Sequence, residues 1–316
     1  MLRAGGYTGA EQTPYPEHLA KTTADVRKRV QAVKKLQAES VKVEARFYER
    51  LHALEKEFQP EYDAINAKRA DIVAGRHEPT DAEADVPLLH TMDKEEVDKL
   101  TQQWDKENTG SASGIPDFWL NVLRAESPLA DMILEHDVPI LKNLIDITVS
   151  IEDEPRGYVL HFHFQPNEYF SDTVLTKHYQ INTDVDEKSP FDYEGPCVVL
   201  VKGCVIHWAD GKNVTKKVIK KKIKKGASAG KYITKAVKTD SFFNFFDPIP
   251  TQVPENADPD DEMHEMIRAD FELGQLIRDQ IIPRAVHYYT GENVDDEDYG
   301  DFDDEDMDVD ELMGEE

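Results

Sequence analysis

Cysteine is nearly absent from this 316-residue chain, which has only Cys197 and Cys204. Two thiols cannot make a disulfide framework, and they point to a reducing compartment. They have no CxxC partner either, and they read as buried strand thiols. Long apolar runs are missing too: none approaches the ~20 residues needed to span a bilayer. Met1 to Ala10 is Gly-rich and has no apolar signal core. The expectation is a soluble, intracellular protein with no membrane partner. No phosphate loop, nucleophile elbow or HExxH is found. The carboxylates come in blocks, not as isolated pairs in apolar surroundings, so tuned acid–base chemistry has no support. His161 and His163 are two apart and would share one side of a strand. No Cys or third His lies at a usable spacing, so they read as a polar strand face and not a metal site. The chain is therefore not expected to be an enzyme, nor to hold a cofactor or a metal.

Charge of one sign is missing from two stretches. Glu292 to Glu316 contains 15 Asp or Glu and no Lys or Arg, more than half of the net charge of −27. Such a block repels itself, buries almost nothing, and is expected to be a disordered acidic tail over 292–316. It is suited to capturing a strongly basic partner. Without it the rest of the chain still carries −12. Conversely, Lys212 to Lys238 contains 11 lysines and no acid, densest at Lys216, Lys217, Lys220, Lys221, Lys222, Lys224 and Lys225. As a hairpin, this stretch places Val218, Lys220 and Lys222 on one face, with too few apolar positions for deep burial. It could be a nuclear import signal, a nucleic-acid contact or a solubilising strand pair, and import is the favoured reading. With no Arg and no recognition helix, direct sequence-specific nucleic-acid binding is not expected.

Glycine and proline are absent from Glu17 to Gln59, after a flexible lead over 1–16. Thr22 or Thr23 can cap a helix there, with Asp25 in its first turn. Val26, Val30 and Val33, then Phe47, Leu51, Leu54 and Phe58, recur at helical spacing. Leu36, Val41 and Val43 lie beside the gap at Gln37, Ser40 and Glu44, so the stripe shifts sideways. A helix from Thr23 to Gln59 would measure roughly 55 Å. Pro60 is expected to kink or interrupt it, with a second helical stretch at Glu61–Ala74. A stripe this long needs a partner helix, most simply a second copy of itself.

Residues 75–114 read as an acidic linker or accessory segment, in which Val97, Leu100 and Trp104 share a helix face expected to cover something. A helix over Pro116–Glu135 follows, with Phe118, Trp119, Val122, Leu123, Met132 and Ile133 on its core face. The period then changes to two, over Leu144–Ile151 and Tyr158–Phe164, around a turn at Asp153–Gly157, which is a hairpin pattern. Further strands are expected at Leu175–Ile181, Val198–Trp208 and either side of Gly226–Gly230. Residues 262–289 return to helical spacing. Helices, then strands, then helices indicate an α+β fold with an antiparallel sheet.

Six phrases resemble the nucleosome assembly protein family, in that family's order. They are Gly114-Ile115-Pro116-Asp117-Phe118-Trp119-Leu120, Glu135-His136-Asp137-Val138-Pro139-Ile140-Leu141, Phe164-Gln165-Pro166-Asn167-Glu168-Tyr169-Phe170, Trp208-Ala209-Asp210-Gly211-Lys212-Asn213-Val214-Thr215, Ser241-Phe242-Phe243-Asn244-Phe245-Phe246, and Ile282-Pro283-Arg284-Ala285-Val286 through Thr290-Gly291. The resemblance implies two long helices over 17–74 paired antiparallel in a homodimer. It also implies an α+β domain over 115–291, with helices beneath the antiparallel sheet and an acidic concave face in the dimer. The implied function is a histone chaperone. It would bind core histones as dimers and tetramers, shield them from improper DNA contacts, and deposit them in nucleosome assembly without ATP. It would also shuttle between cytoplasm and nucleus through an import receptor that reads the basic hairpin over 212–238. The chain departs from many relatives in lacking an acidic N-terminal extension and in having a short acidic tail. The folded contacts implied are Asp131 with Glu135 and Asp261 with Glu265, each pair at i, i+4 on a helix, and Asp240 before the Phe-rich segment. The same spacing also fits ordinary solvated helix faces. Asp295, Asp296, Asp303, Asp304 and Asp306 stand for the tail. The alternative is an acidic regulatory protein like the SET-type relatives, acting as a phosphatase inhibitor. A nucleic-acid-binding protein working through Lys212–Lys238 ranks third.

Overall fold

The structure is a computed structural model that describes residues 15–108, 110, 112–222, 232–248 and 262–292. A four-residue turn of helix, α1 (Glu17–Ala20), precedes the dominant element, α2 (Ala24–Val73), whose 50 residues span about 75 Å. Thr23 caps it, its side chain accepting from the Val26 amide at 3.4 Å. The helix runs unbroken through Pro60, where an interruption was expected. Contacts on both sides of the proline account for this. Lys56 pairs with Asp153, the Gln59 amide donates to Val149 O at 3.1 Å, and Arg69 pairs with Asp146 at 3.5 Å. These contacts run along the β1 edge in the opposite direction to α2. The helix therefore covers an otherwise open sheet edge.

At its end, α2 meets a tight chain crossing. Gly75 and Gly114 both have positive φ, and a Cβ on Gly114 would sit 2.2 Å from Val73 O. Only glycine fits there. The excursion between them leaves and returns at one point, closed by Ile115 N donating to Val73 O at 2.9 Å. It carries α3 (Lys94–Glu107), which starts with a capping box between Asp93 and Glu96. Leu100 and Trp104 are 71% and 68% exposed, so this face, expected to cover something, lies open among the described residues.

The body follows the expected α+β order. Helices α4 (Phe118–Arg124), α5 (Ser127–Ala130) and α6 (Val138–Leu141) lead into an antiparallel sheet of β1 (Leu144–Asp153), β2 (Arg156–Phe164), β3 (Val174–Asn182) and β4 (Cys197–Lys202), in that spatial order. β4 is shorter than the expected Val198–Trp208, because the chain leaves the ladder after Lys202. Cys197 and Cys204 are free and half-buried, and the Cys204 sulfur accepts from Thr176 N at 3.3 Å. Tyr158, Leu160, Phe162 and Phe164 point from β2 into the core. There Phe162 meets the rings of Phe242, Phe245 and Phe246 at 5.1–6.3 Å, from a 3-10 turn over Phe242–Phe246. On the opposite face, His161 and His163 bond to Ser150 and Thr148 at 3.0 and 2.9 Å. Burial lowers the pKa of both rings. They form the polar strand face read from the sequence.

Two expected helices are broken. Over 116–135, α4 stops at Arg124, and α5, with Pro128 in its first turn, ends before Asp131. Over 262–289, α7 (Glu262–Leu276) passes into a π-helical turn (Ile277–Ile281) before α8 (Ala285–Thr290). Strands β5 (Lys216–Lys222) and β6 (Tyr232–Lys238) form a separate two-stranded sheet, the expected hairpin.

Candidate functional site

A short loop and a short turn, far apart in sequence, meet at Asp137, which is fully buried. One carboxylate oxygen accepts from the Ser241 hydroxyl at 2.6 Å. The other accepts from Leu134 N at 3.0 Å and Phe242 N at 2.9 Å. A buried charge must be bonded by several donors to be tolerated, and Asp137 has three. The pairing brings Glu135 and His136 beside Asp240, and the His136 ring lies 3.1 Å from Asp240 O. The exposed carboxylates of Glu135 and Asp240 therefore stand on a rigid base.

A second node fixes α7. Lys177 on β3 is fully buried, bonds Asp270 at 2.6 Å and Phe245 O at 2.5 Å, and sits 4.6 Å from the Phe245 ring centre. Tyr179 donates to the same carboxylate at 2.9 Å. Burial lowers the lysine's pKa and raises that of Asp270, and each opposes the shift of the other. Gly274 lets the helix close on the sheet, because a Cβ there would meet the Tyr179 ring at 2.3 Å. Glu265 is exposed one turn and more before this anchor.

The anticipated contact residues separate as follows. Asp131, Glu135, Asp240 and Glu265 are all exposed, and none forms an ion pair with another described residue. Asp131 and Glu135 do not share a helix face. Asp131 closes α5 and Glu135 lies in the following turn, because Asp137 takes the Leu134 amide that a continuing helix would have used. Asp261, Asp295, Asp296, Asp303, Asp304 and Asp306 lie outside the described residues, as do Lys224 and Lys225. Lys216 and Lys217 are exposed on β5, and Lys220, Lys221 and Lys222 complete that strand. On α2, Val26, Val30, Val33, Phe47, Leu54 and Phe58 are exposed, and Leu51 is half-buried. This stripe lies beside the side that carries Val41, Gln59, Ala70 and Val73 against the body. The mean directions of the two sides lie roughly 80° apart around the helix. Sequence reasoning missed Asp137, Ser241, Lys177 and Asp270 as positioning residues. Asp137 and Ser241 did occur in two of the phrases that carried the resemblance.

The sequence profile of the nucleosome assembly protein (NAP) family matches residues 28–292. The chain belongs to this family. It is 43% identical over 292 residues to nucleosome assembly protein 1-like 1-A of Xenopus laevis, covering 90% of this chain and 73% of that one. It is also 43% identical over 305 residues to nucleosome assembly protein 1-like 1 of Homo sapiens, covering 92% and 75%. Among solved structures it is similar to nucleosome assembly protein 1 from Plasmodium knowlesi, at 28% identity and a TM-score of 0.53, covering 86% of this chain and 99% of that one. The long N-terminal helix followed by an antiparallel sheet is the family's fold.

Proposed function

We propose that this chain is a histone chaperone that acts as a homodimer and has no ATP requirement. The observation that carries the reading is a set of exposed carboxylates, held on a fixed base, that form no ion pair with another described residue. Glu135 and Asp240 stand over Asp137, Asp131 lies a turn upstream, and Glu265 is on the anchored α7. Carboxylates on rigid elements take Arg and Lys with geometric selectivity. The acidic tail adds long-range attraction, which raises the encounter rate more than it selects a partner. The partners on this reading are core histones, and the product is their shielded transfer to DNA. Release comes from competition with DNA for the cationic surface. The exposed α2 stripe pairs with a second copy. The lysine hairpin is read by an import receptor, and the protein moves between cytoplasm and nucleus. Nothing in the geometry favours the phosphatase-inhibitor alternative.

The test is to mix the purified chain with core histones, relaxed plasmid DNA and an ATP-independent topoisomerase at physiological salt, with no nucleotide present. Soluble chaperone–histone complexes and supercoiled plasmid are expected. Failure both to bind histones and to suppress histone–DNA aggregates would overturn the reading.

A further inference from the structure

The hairpin has an unresolved charge problem. Among the described residues, β5 and β6 make a sheet of two strands, apart from the four-stranded sheet. Such a sheet is marginally stable by itself. Its register sets Lys216 directly opposite Lys238, a repulsive cross-strand pair. Asp247 relieves Lys238 at 2.8 Å, whereas Lys216 and Lys217 enter no ion pair with another described residue. No acid occurs anywhere from Lys212 to Lys238. By register, Lys216 and Lys238 share one face, and Lys217 lies on the other, beside Ile219 and Val237. Both of these apolar side chains are exposed. A flat, rigid anion would neutralise one face only. A pliant anionic chain with scattered apolar residues would satisfy both.

The residues after Glu292 have that composition. Glu292 is fixed to the body, accepting from Thr290 Oγ1 at 2.6 Å and from His90 N at 2.7 Å. Beyond it run 24 residues with 14 Asp or Glu, interspersed with Tyr299, Phe302, Val309 and Leu312. Extended, they reach about 80 Å, several times the ~16 Å radius of gyration of a domain the size of 115–291. Tethering gives an effective concentration in the millimolar range. Nucleic acid, arriving from solution, meets a chain of net charge −27 and must displace this competitor.

We infer that residues 293–316 dock on the β5–β6 hairpin of the same chain, neutralising its lysines until a strongly cationic protein partner draws the tail away. The basic hairpin is thereby masked in the unloaded chain and exposed in the loaded one.

Zero-length carbodiimide coupling of carboxylates to lysines in the full chain, mapped by mass spectrometry, tests this. Exposed Lys28, Lys35 and Lys42 on α2 serve as internal controls. Tail links to Lys216–Lys238 are expected to exceed tail links to the controls about tenfold, through the local concentration the docking creates. They should collapse to the control level at about 0.5 M NaCl, where the screening length is only a few ångströms. A full-length chain with Asp295, Asp296, Asp303, Asp304 and Asp306 changed to Asn should show faster amide exchange across β5–β6, by about threefold or more. Tail links spread evenly over all lysines, or hairpin exchange unchanged by the five substitutions, would overturn the inference. So would mixed-mass tail–hairpin links between heavy and light copies, which would assign the hairpin's occupant to another chain.

Discussion

Asp137 and Ser241 are 104 residues apart in the chain and meet at 2.6 Å, with no solvent exposure at the carboxylate. The contact joins the loop after α5 to the Phe-rich turn, and so fixes Glu135 against Asp240. Asp137→Asn keeps the shape but removes the charge from three hydrogen bonds. It should cost about 2–3 kcal/mol in urea unfolding. Ser241→Ala, which removes one donor, should cost about 1 kcal/mol. If the base is what orients the contact carboxylates, Asp137→Asn should also weaken histone binding under conditions where the variant is still folded. Equal stability of wild type and Asp137→Asn would refute the role.

Phe47 and Leu54 are 58% and 49% exposed on α2, so a charge at either leaves the chain's own core intact. Phe47→Glu combined with Leu54→Glu should halve the mass in light scattering while the far-UV helix signal of the body persists. An unchanged mass would exclude this stripe as the dimer seam.

Much of the fold was legible because it repeats. The alternation over Leu144–Ile151 and Tyr158–Phe164 pointed to the β1–β2 hairpin, and the apolar spacing over Thr23–Gln59 and Glu61–Ala74 to the two parts of α2, but not to its continuity through Pro60. Asp137 was hidden from this kind of reading, because a buried carboxylate in the seven-residue loop between α5 and α6 has no period. The Asp131–Glu135 spacing misled for the same reason. Four residues apart means one face only if the helix continues, and Asp137 ends it by taking the Leu134 amide. Lys177 looked like an ordinary strand lysine, since nothing local announces that Asp270, 93 residues on, will neutralise it. Leu100 and Trp104 were legible as a face but not as an uncovered one, because amphipathicity does not reveal what lies opposite.

Asp146 offers a pH prediction. Its pKa is raised from 3.8 to about 6, chiefly by burial and only partly offset by Arg69. Burial also depresses Arg69, so desolvation outweighs the attraction within the pair. An acid whose folded pKa is raised favours folding while protonated. Its contribution is fully present below about pH 4 and is lost as pH rises through about 6. The stability of wild type relative to Asp146→Asn should therefore fall between pH 4 and pH 7, by up to about 3 kcal/mol. Parallel urea midpoints for the two proteins across that range would contradict the assignment.

Replacing Lys220, Lys221 and Lys222 by Ala should reduce nuclear entry of a fluorescent fusion without changing the urea midpoint of the body, since β5 lies outside the four-stranded sheet. An unaltered distribution in cells would remove the import reading.

On the proposed function, tail and folded carboxylates should make separable contributions to histone capture. Contacts between solvent-exposed charges are screened by salt, whereas contacts that become partly desolvated on binding are screened less. Changing Asp295, Asp296, Asp303, Asp304 and Asp306 to Asn should therefore weaken histone binding about tenfold at low salt, and much less at physiological salt. Changing Glu135 to Gln and Asp240 to Asn should weaken it at both. Neither variant alone should abolish binding, because each leaves the other source of negative charge in place. Complete loss in the tail variant at physiological salt would move the site from the body to the tail.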